Sequence, residues 1–172
     1  MIIFDLDGTL ADCSHRQHFV ENKYHYERVS CDVIQRVYEN PNFKPNWDAF
    51  HDACDQDKPI PKTIQIFEHF QRDTYGYPIP EVQIWSGRSE SVVEKTQKWV
   101  DDNISYHCDV NLKMRPIGDT TPEDELKEKW LDEAIAQGKT IDFVFDDSET
   151  CCKMWRRRGI FVFNCAQHNE EF

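Results

Sequence analysis

The chain has 172 residues and a formal net charge of −12 at pH 7, and its length predicts a single domain over residues 1–172 that can bury one sizeable core. This acidic balance argues against binding along a nucleic-acid duplex, which needs many Lys and Arg contacts with phosphates, but it leaves room for a site that grips one phosphate. No apolar run approaches the roughly 20 residues that span a bilayer and no signal peptide is evident, so we expect an intracellular, cytoplasmic protein with no membrane partner.

The chain opens on a short apolar run, Ile2–Phe4, which predicts a buried β-strand ending directly before Asp5 and Asp7. Further strands are predicted at 82–85, 110–114, 141–145 and 160–163. Helical patterns lie between them, with start signals near Ser91 and at Thr121-Pro122, and with a third helix beginning near Cys151. Strands that alternate with helices predict a parallel, doubly wound α/β sheet of the Rossmann-like kind.

Residues 13–60 interrupt this alternation, before a helix that we expect from about residue 62 to 75. The stretch is polar, carries three prolines, is followed directly by Pro61, and contains two short helical patterns. The first pattern is formed by Val29, Val33 and Val37, and the second by Trp47, Phe50, His51 and Cys54. We expect a small helical cap inserted after the first strand, with an irregular surface excursion as the alternative.

Polar side chains follow three of the predicted strands. Asp5 and Asp7 follow the first, Ser86-Gly87-Arg88 follows the strand at 82–85, and Asp146-Asp147 follows the strand at 141–145. Ligands of such sheets collect at the carboxyl ends of the strands, so these groups are expected to converge. Crowded carboxylates repel one another, and Mg²⁺, which takes carboxylates together with phosphate oxygens and water, relieves that repulsion.

Lys127 gives an independent signal. On a helical wheel it lies in the apolar arc of its helix, whereas Lys129 points to the opposite side. A lysine in that position needs a negative partner. Glu123, one turn earlier, can supply it as a purely structural ion pair, and the functional alternative is a cation that reaches the carboxylate pocket.

These features resemble a known family. The segment DLDGT at 5–9, Ser86 after a strand, Lys127 on a later helix and DD at 146–147 resemble, in order, the four motifs of the haloacid dehalogenase (HAD) superfamily of phosphotransferases. A closer resemblance is to the 3′-phosphatase domain of phage-type polynucleotide kinases. It rests on DGTLAD with the following HR, on SGR at 86–88, on MRPIGDTTPEDELK at 114–127 and on DDSETCCKMWRRRGI at 146–160.

The resemblance implies a role for each matching residue. Asp5 would be the nucleophile that becomes an aspartyl phosphate, and Asp7 would be the general acid and base. Mg²⁺ would be bound by Asp5, by the backbone carbonyl of Asp7 and by Asp146, with Asp147 nearby or acting through water. Ser86 and Lys127 would hold the transferred phosphoryl oxygens. The residues implied in substrate binding are Arg16, Gly87, Arg88 and Arg115.

The sequence departs from that family in three places, one of which is that the 13–60 insert is longer than the usual lid of that domain. No GxxxxGK[ST] stretch is present, so 5′-kinase activity is not expected of this chain, and Ser148 stands where relatives often carry arginine. We expect a Mg²⁺-dependent phosphomonoesterase that removes 3′-phosphates from polynucleotide ends or nucleotides, in the host cytoplasm if the gene is of phage origin. A nucleoside 5′-monophosphatase on the same scaffold and a non-catalytic binding module are the alternatives.

Overall fold

The computed structural model describes residues 1–22, 42–71, 79–104 and 110–166. The strands are β1 (Ile2–Phe4), β2 (Ala11–Asp12), β3 (Lys58–Pro59), β4 (Val82–Ser89), β5 (Asn111–Arg115), β6 (Phe143–Asp146) and β7 (Val162–Asn164). The helices are α1 (Trp47–Asp52), α2 (Pro61–Phe70), α3 (Val93–Asn103), α4 (Glu123–Ala136) and α5 (Glu149–Arg157). None of the helices in these ranges is long and apolar enough to cross a membrane.

Five strands form one parallel sheet in the order β5-β4-β1-β6-β7. The chain starts in the middle of the sheet at β1, winds outward through β4 and β5, and then returns to build β6 and β7 on the other side. This is the predicted doubly wound α/β fold. Because β1 and β6 are neighbours in this sheet, Asp5 after β1 and Asp146 at the end of β6 lie side by side.

Alternating side chains of the central strands bury both faces of the sheet. Phe4 faces α2 and α3, where its ring stacks on Phe145 at 4.3 Å between centroids and meets the edge of Phe67 at 5.0 Å. Ile3 and Trp85 face the opposite side, which α4 and α5 cover. Because both faces are buried, the strand ends are held rigidly, and polar side chains placed there have fixed positions.

The helices start within two residues of the predicted positions, but the predicted Ser91 cap is wrong: α3 begins at Val93 after a 3₁₀ turn that Ser89 caps by accepting from the backbone N–H of Ser91. The Ser148 side chain accepts a hydrogen bond from the backbone N–H of Cys151 at the start of α5, and Gly159 ends the same helix region with φ +75°. At α4, Pro122 precedes a first turn that is entirely acidic, which suits the positive end of the helix dipole. Both helices therefore begin at the carboxyl-end edge of the sheet.

Strand β4 is longer than its apolar core predicts. It continues through Ser86, Gly87 and Arg88 to Ser89, with an irregularity in its pairing to β5 between Ser86 and Ser89. The sequence predicted these polar residues after the strand, because the apolar run ends at Trp85. Pairing with β5 extends the strand beyond that run.

The inserted stretch begins and ends close together. Its two ends form a short antiparallel ladder in which Ala11 pairs with Pro59 and Asp12 with Lys58. Between them the structure has a 3₁₀ helix over Ser14–Phe19, then α1, and then a second 3₁₀ turn over Ala53–Gln56. The second predicted helical pattern is therefore confirmed as α1, whereas the valine pattern at 29–37 lies outside the described residues.

Candidate active site

The loop after β1 places two aspartates in different surroundings. Asp5 is 4% exposed, and its backbone N–H donates to Phe145 O on the neighbouring strand (2.8 Å). The loop then folds tightly on itself, since the backbone N–H groups of Leu10 and Ala11 both donate to Leu6 O. This turn fixes the direction of Asp7, which lies beyond the end of the sheet.

Gly8 allows a close approach between this loop and β6. Its φ is +80°, and a Cβ built on it would lie 2.0 Å from Oδ2 of Asp147. A side chain at position 8 would therefore push Asp147 away, in addition to straining the backbone. The glycine of the DLDGT segment is explained by this contact.

Lys127 joins the carboxylates of the site. Its Nζ is buried and lies 2.8 Å from Asp5 Oδ1, 2.8 Å from Glu123 Oε1 and 3.0 Å from Asp146 Oδ2. The helical wheel predicted an inward Lys127 and an outward Lys129, and the structure shows both. The ion pair with Glu123 and the contact with the carboxylate pocket were treated as alternatives, but they exist together.

The carboxylates of Asp5, Asp146 and Asp147 form a cluster that a metal ion fits. Each offers an oxygen, and these oxygens lie within 4.8 Å of one another. Burial raises the pKa of Asp5 well above its ordinary value, and Asp146 and Asp147 add to this effect while Lys127 opposes it. Burial and Asp146 raise the pKa of Asp147 to about 6. Three crowded carboxylate oxygens are the donor set that a hard divalent cation such as Mg²⁺ would bind, because the cation offsets their mutual repulsion.

Asp7 is outside that cluster and is held by two arginines. Arg16 Nη2 donates to Asp7 Oδ1 at 2.6 Å, and Arg88 donates to the same oxygen from Nε at 2.9 Å and Nη2 at 2.5 Å. Burial alone would raise the pKa of Asp7, but the charges of Arg88 and Arg16 outweigh it and lower that pKa. All these bonds reach Oδ1, so Oδ2 is the oxygen available to exchange a proton.

Asp57 completes this arginine network. Its Oδ2 accepts from Arg16 Nη2 (2.7 Å) and Arg88 Nη2 (2.5 Å), and its Oδ1 accepts from Arg16 Nε (2.7 Å) and bonds His15 Nε2 (2.8 Å). Both guanidinium groups are fully buried between the two carboxylates, so two positive charges face two negative ones. This balance is what allows two arginines to be buried side by side.

The end of β4 forms the remaining wall. Ser86 is fully buried, and its Oγ accepts from the backbone N–H of Arg88 at 3.2 Å. Arg115 donates from Nε to Gly87 O (2.9 Å) and from Nη1 to Thr121 O (2.5 Å). A Cβ on Gly87 would lie 3.0 Å from the Glu123 carboxylate, so the absence of a side chain there leaves room for the partner of Lys127.

The structure therefore gathers the predicted residues into two neighbouring groups. One group is the metal-type cluster with Lys127, and the other is Asp7 with its two arginines. Arg16 and Arg88, predicted to bind substrate, lie in the second group with their guanidinium groups engaged by carboxylates. Arg115 lies at the edge, bound to the backbone carbonyls of Gly87 in β4 and of Thr121 in the loop before α4.

The sequence did not predict that Asp57 and His51 belong to this region of the site. Asp57 lies in the segment DACDQDKP, where Asp52 and Asp55 look equivalent to it, and no local signal singles it out. His51 was part of a helical pattern, but the sequence does not show that its imidazole lies in the field of Asp7 and of Arg16, Arg88 and Arg115. Both relationships depend on residues that are 31 to 64 positions apart in the sequence.

Comparison with known proteins identifies the family. The family model described as "Polynucleotide kinase PNKP phosphatase domain" matches residues 46–170, a region that includes Lys127 and the Asp146-Asp147 pair but begins after Asp5, Asp7 and Arg16. No curated protein matches the chain.

Two solved structures are similar in fold. One, titled "Structure of Pnkp1/Rnl/Hen1 complex", is 22% identical with a TM-score of 0.66, and covers 98% of this chain and 46% of its own. The other, "Structure of the Pnkp1/Rnl/Hen1 RNA repair complex", is 20% identical with a TM-score of 0.65, and covers 98% and 43%. The chain thus spans less than half the length of these neighbours. The match over most of its length shows that the chain belongs to the HAD-type phosphatase domains of polynucleotide kinases, a family of phosphoric monoester hydrolases.

Proposed function

We propose that this chain is a Mg²⁺-dependent phosphomonoesterase that removes 3′-phosphates from polynucleotide ends or nucleotides through an aspartyl phosphate on Asp5. The observation that carries the proposal is that the two aspartates after β1, Asp5 and Asp7, have different charged neighbours. Asp5 is fixed by Lys127 beside two further carboxylates, whereas Asp7, two residues later, is held by arginines. A nucleophile and a proton donor need this separation, because one must attack phosphorus while the other exchanges a proton.

In the first step, Asp5 attacks phosphorus with the carboxylate oxygen that Lys127 does not bind. The bond between phosphorus and the leaving alcohol breaks, and Asp7 Oδ2 gives its proton to the alcohol oxygen. Asp7 is ionised in the free protein, so it needs a proton before this step. The negative charge of an arriving phosphate favours that protonation.

In the second step, Asp7 acts as the base. It takes a proton from a water molecule, the water oxygen attacks phosphorus, and the bond to Asp5 breaks to release inorganic phosphate. Arg16 and Arg88 serve both steps by holding Asp7 Oδ1, so that Oδ2 keeps one direction while its proton comes and goes. We propose that these two arginines act on the substrate indirectly, by positioning Asp7.

Charge on the transferred group is neutralised by fixed groups. Lys127 and Ser86 would hold phosphoryl oxygens, with Gly87 leaving space for them and Arg115 fixing the Gly87 carbonyl. Asp5, Asp146, Asp147 and the Asp7 backbone carbonyl would bind Mg²⁺, which keeps Asp5 ionised and draws charge from the phosphoryl oxygens. Activity should accordingly vanish in EDTA and return with Mg²⁺, while Ca²⁺, with its looser coordination, should support it poorly.

The polynucleotide 3′ end is proposed as substrate from the family and its neighbours. The matching family is that of polynucleotide kinase phosphatase domains, and the similar structures come from an RNA repair complex of Pnkp1 with Rnl and Hen1. We therefore propose an RNA end as substrate and a protein partner from RNA repair for this chain. The net charge of −12 favours recognition of the terminal nucleotides alone over an extended duplex.

The test compares initial rates on thymidine 3′-monophosphate, thymidine 5′-monophosphate and a short 3′-phosphorylated oligonucleotide at equal concentration. We expect both 3′-phosphates to be hydrolysed faster than the 5′-phosphate. A clear preference for the 5′-phosphate would replace this proposal with a nucleoside 5′-monophosphatase. The absence of turnover with any phosphate ester in Mg²⁺ would indicate a binding module.

A further inference from the structure

Helix α1 of the inserted stretch is fixed directly to the arginine network. The Phe50 ring lies under the Arg16 guanidinium, with 4.1 Å from its carbon to the ring centroid, and Phe50 O accepts from Arg16 Nη1 at 3.1 Å. Asn46 caps the helix by accepting from the backbone N–H of Ala49. Because Arg16 also binds Asp7, the position of α1 is set relative to the proton-donating side of the site.

His51, next to Phe50, carries a polar atom that the fold does not use. Its Nδ1 is buried and has no hydrogen-bond partner among the described residues. Burial and the charges of Arg16, Arg115 and Arg88 lower the pKa of His51, against an opposing effect of Asp7. The ring is therefore neutral at pH 7 and offers one donor and one acceptor. Buried polar atoms normally have a partner, so an unpaired one beside a site suggests a group that the ligand supplies.

His51 lies on the side of the leaving group. His51 follows Phe50, whose carbonyl accepts from Arg16 Nη1, and Arg16 also donates to Asp7, which would protonate the leaving oxygen. The part of a phosphate ester next to Asp7 is its alcohol, which in a nucleotide is the sugar. A neutral imidazole matches sugar oxygens, which accept hydrogen bonds and, as hydroxyls, also donate them.

Trp47 lies one helical turn before His51 on the same helix. Their ring centroids are 6.2 Å apart with 31° between planes, and Trp47 is 55% exposed although its ring meets Phe50 in a T-shaped pair. An indole with this much exposed surface is suited to stacking on a nucleobase, whatever the base. In a nucleotide the base is attached to the sugar, so a side chain that stacks on the base must lie next to the one that bonds the sugar. The rings of Trp47 and His51 are neighbours in this way.

We propose that His51 and Trp47 form a nucleoside subsite on α1, in which His51 bonds the sugar of the leaving nucleotide and Trp47 stacks on its base. This inference deepens the proposed function and rests on it for the position of the leaving group. It makes α1 the element that distinguishes a nucleotide from a simple phosphate ester.

The experiment measures kcat and KM on two substrates. One is thymidine 3′-monophosphate, and the other is isopropyl phosphate, which is also a secondary alkyl ester but has neither sugar nor base. His51→Ala should raise KM for the nucleotide about 10-fold, as expected for one lost hydrogen bond, and Trp47→Ala about 5- to 100-fold, as expected for one lost base stack. The nucleotide effect should exceed the isopropyl phosphate effect at least fivefold, with kcat changing less than KM.

Matched variants separate recognition from folding. His51→Asn keeps an amide near the position of Nδ1 and should recover part of the lost affinity, whereas His69→Ala changes an exposed histidine on α2 and should behave as wild type. Calorimetric titration with thymidine, which carries no phosphate, gives a Kd that does not depend on turnover. That Kd should rise in His51→Ala and in Trp47→Ala.

Failure of this inference is distinguishable from failure of the proposed function. Equal effects on the two esters, or no effect on either together with an unchanged Kd for thymidine, would overturn the subsite. If the wild type instead prefers thymidine 5′-monophosphate, the 3′-phosphatase proposal fails, and the same variants are measured on the 5′-nucleotide. A selective loss there would retain the subsite, and an unselective one would overturn it.

Discussion

Replacing Asp57 by asparagine tests whether a buried carboxylate outside the metal-type cluster governs the proton donor. Asp57 accepts three bonds from the guanidinium groups of Arg16 and Arg88, and its side chain is fully buried. Asparagine has nearly the same shape, but it removes one negative charge and turns an NH₂ group toward donors. The variant would leave two buried guanidinium groups facing the single carboxylate of Asp7.

The cost follows from breaking a buried ion pair. Removing one partner of such a pair destabilises a protein by about 3–5 kcal/mol, because the remaining charge is buried without compensation. That is a large part of the about 5–15 kcal/mol by which most domains are stable. The surviving arginines would also bind Asp7 more tightly and lower its pKa further, so Asp7 would donate its proton less readily. General acid catalysis contributes about 10²–10⁴-fold, and a loss of kcat in that range is expected in the folded fraction.

The assay combines urea unfolding with phosphatase rates, and Asp55→Asn is the control. Asp55 lies two residues away and is exposed, so its replacement should change the free energy of unfolding by no more than about 0.5 kcal/mol. A leaving group with a low pKa, such as p-nitrophenol, needs little protonation and should recover part of the kcat lost in Asp57→Asn. Destabilisation below about 1 kcal/mol together with wild-type kcat would refute the reasoning, since the arginines would then not depend on Asp57.

Three further predictions concern the metal-type cluster. Lys127→Ala should lower kcat/KM by at least about 10³-fold, since it removes the cation bonded to three carboxylates. Lys129→Ala, on the outer face of the helix, should change kcat/KM less than about twofold. Equal losses in the two variants would contradict the assigned helix face. Gly8→Ala and Gly118→Ala each place alanine at φ +80°, and each should lower the free energy of unfolding by about 1–2 kcal/mol. Only the new Cβ at position 8 would meet Asp147, so only Gly8→Ala should also weaken Mg²⁺-dependent activity. In EDTA, Asp147 holds its proton more tightly in the native state than in the unfolded chain, so the stability it contributes is present below about pH 4 and is lost as pH rises through about 6. Asp147→Asn should therefore exceed the wild type in metal-free unfolding free energy at pH 7.5 but not at pH 4, and a difference independent of pH would contradict this.

The sequence predicted the site residues whose positions follow from the hydrophobic pattern of a strand or helix. Asp5 follows a run buried on both faces, and Asp146 ends another, so a parallel sheet had to bring them to one edge. Lys127 was identified by its position in the apolar arc of a helix whose start signal was clear. In these cases a local pattern determines where the side chain lies, and the sheet order does the rest.

The arginine network was beyond sequence reasoning for a physical reason. Arg16 and Arg88 have no apolar periodicity around them, and their burial depends on Asp57, which is 41 residues from the first and 31 from the second. A buried charge is stable only with its partner, so no single position reveals it. Resemblance to a family pointed to the two arginines, but contact with Asp7 and Asp57 became evident only in three dimensions.

The two aspartates of the opening loop differ in pKa because the balance of charge around them differs. Burial raises the pKa of both, but Asp5 faces several carboxylates and the single cation Lys127, so its pKa stays raised, whereas Arg88 and Arg16 lower the pKa of Asp7. Two residues separate them in sequence, and the tight turn around Leu6 directs them into these opposite fields. Exchanging the roles would require exchanging the fields, since the side chains are chemically identical. The proposed division of labour between nucleophile and proton carrier therefore depends on the elements that surround the loop: β6 and α4 on one side, and the inserted stretch with the end of β4 on the other.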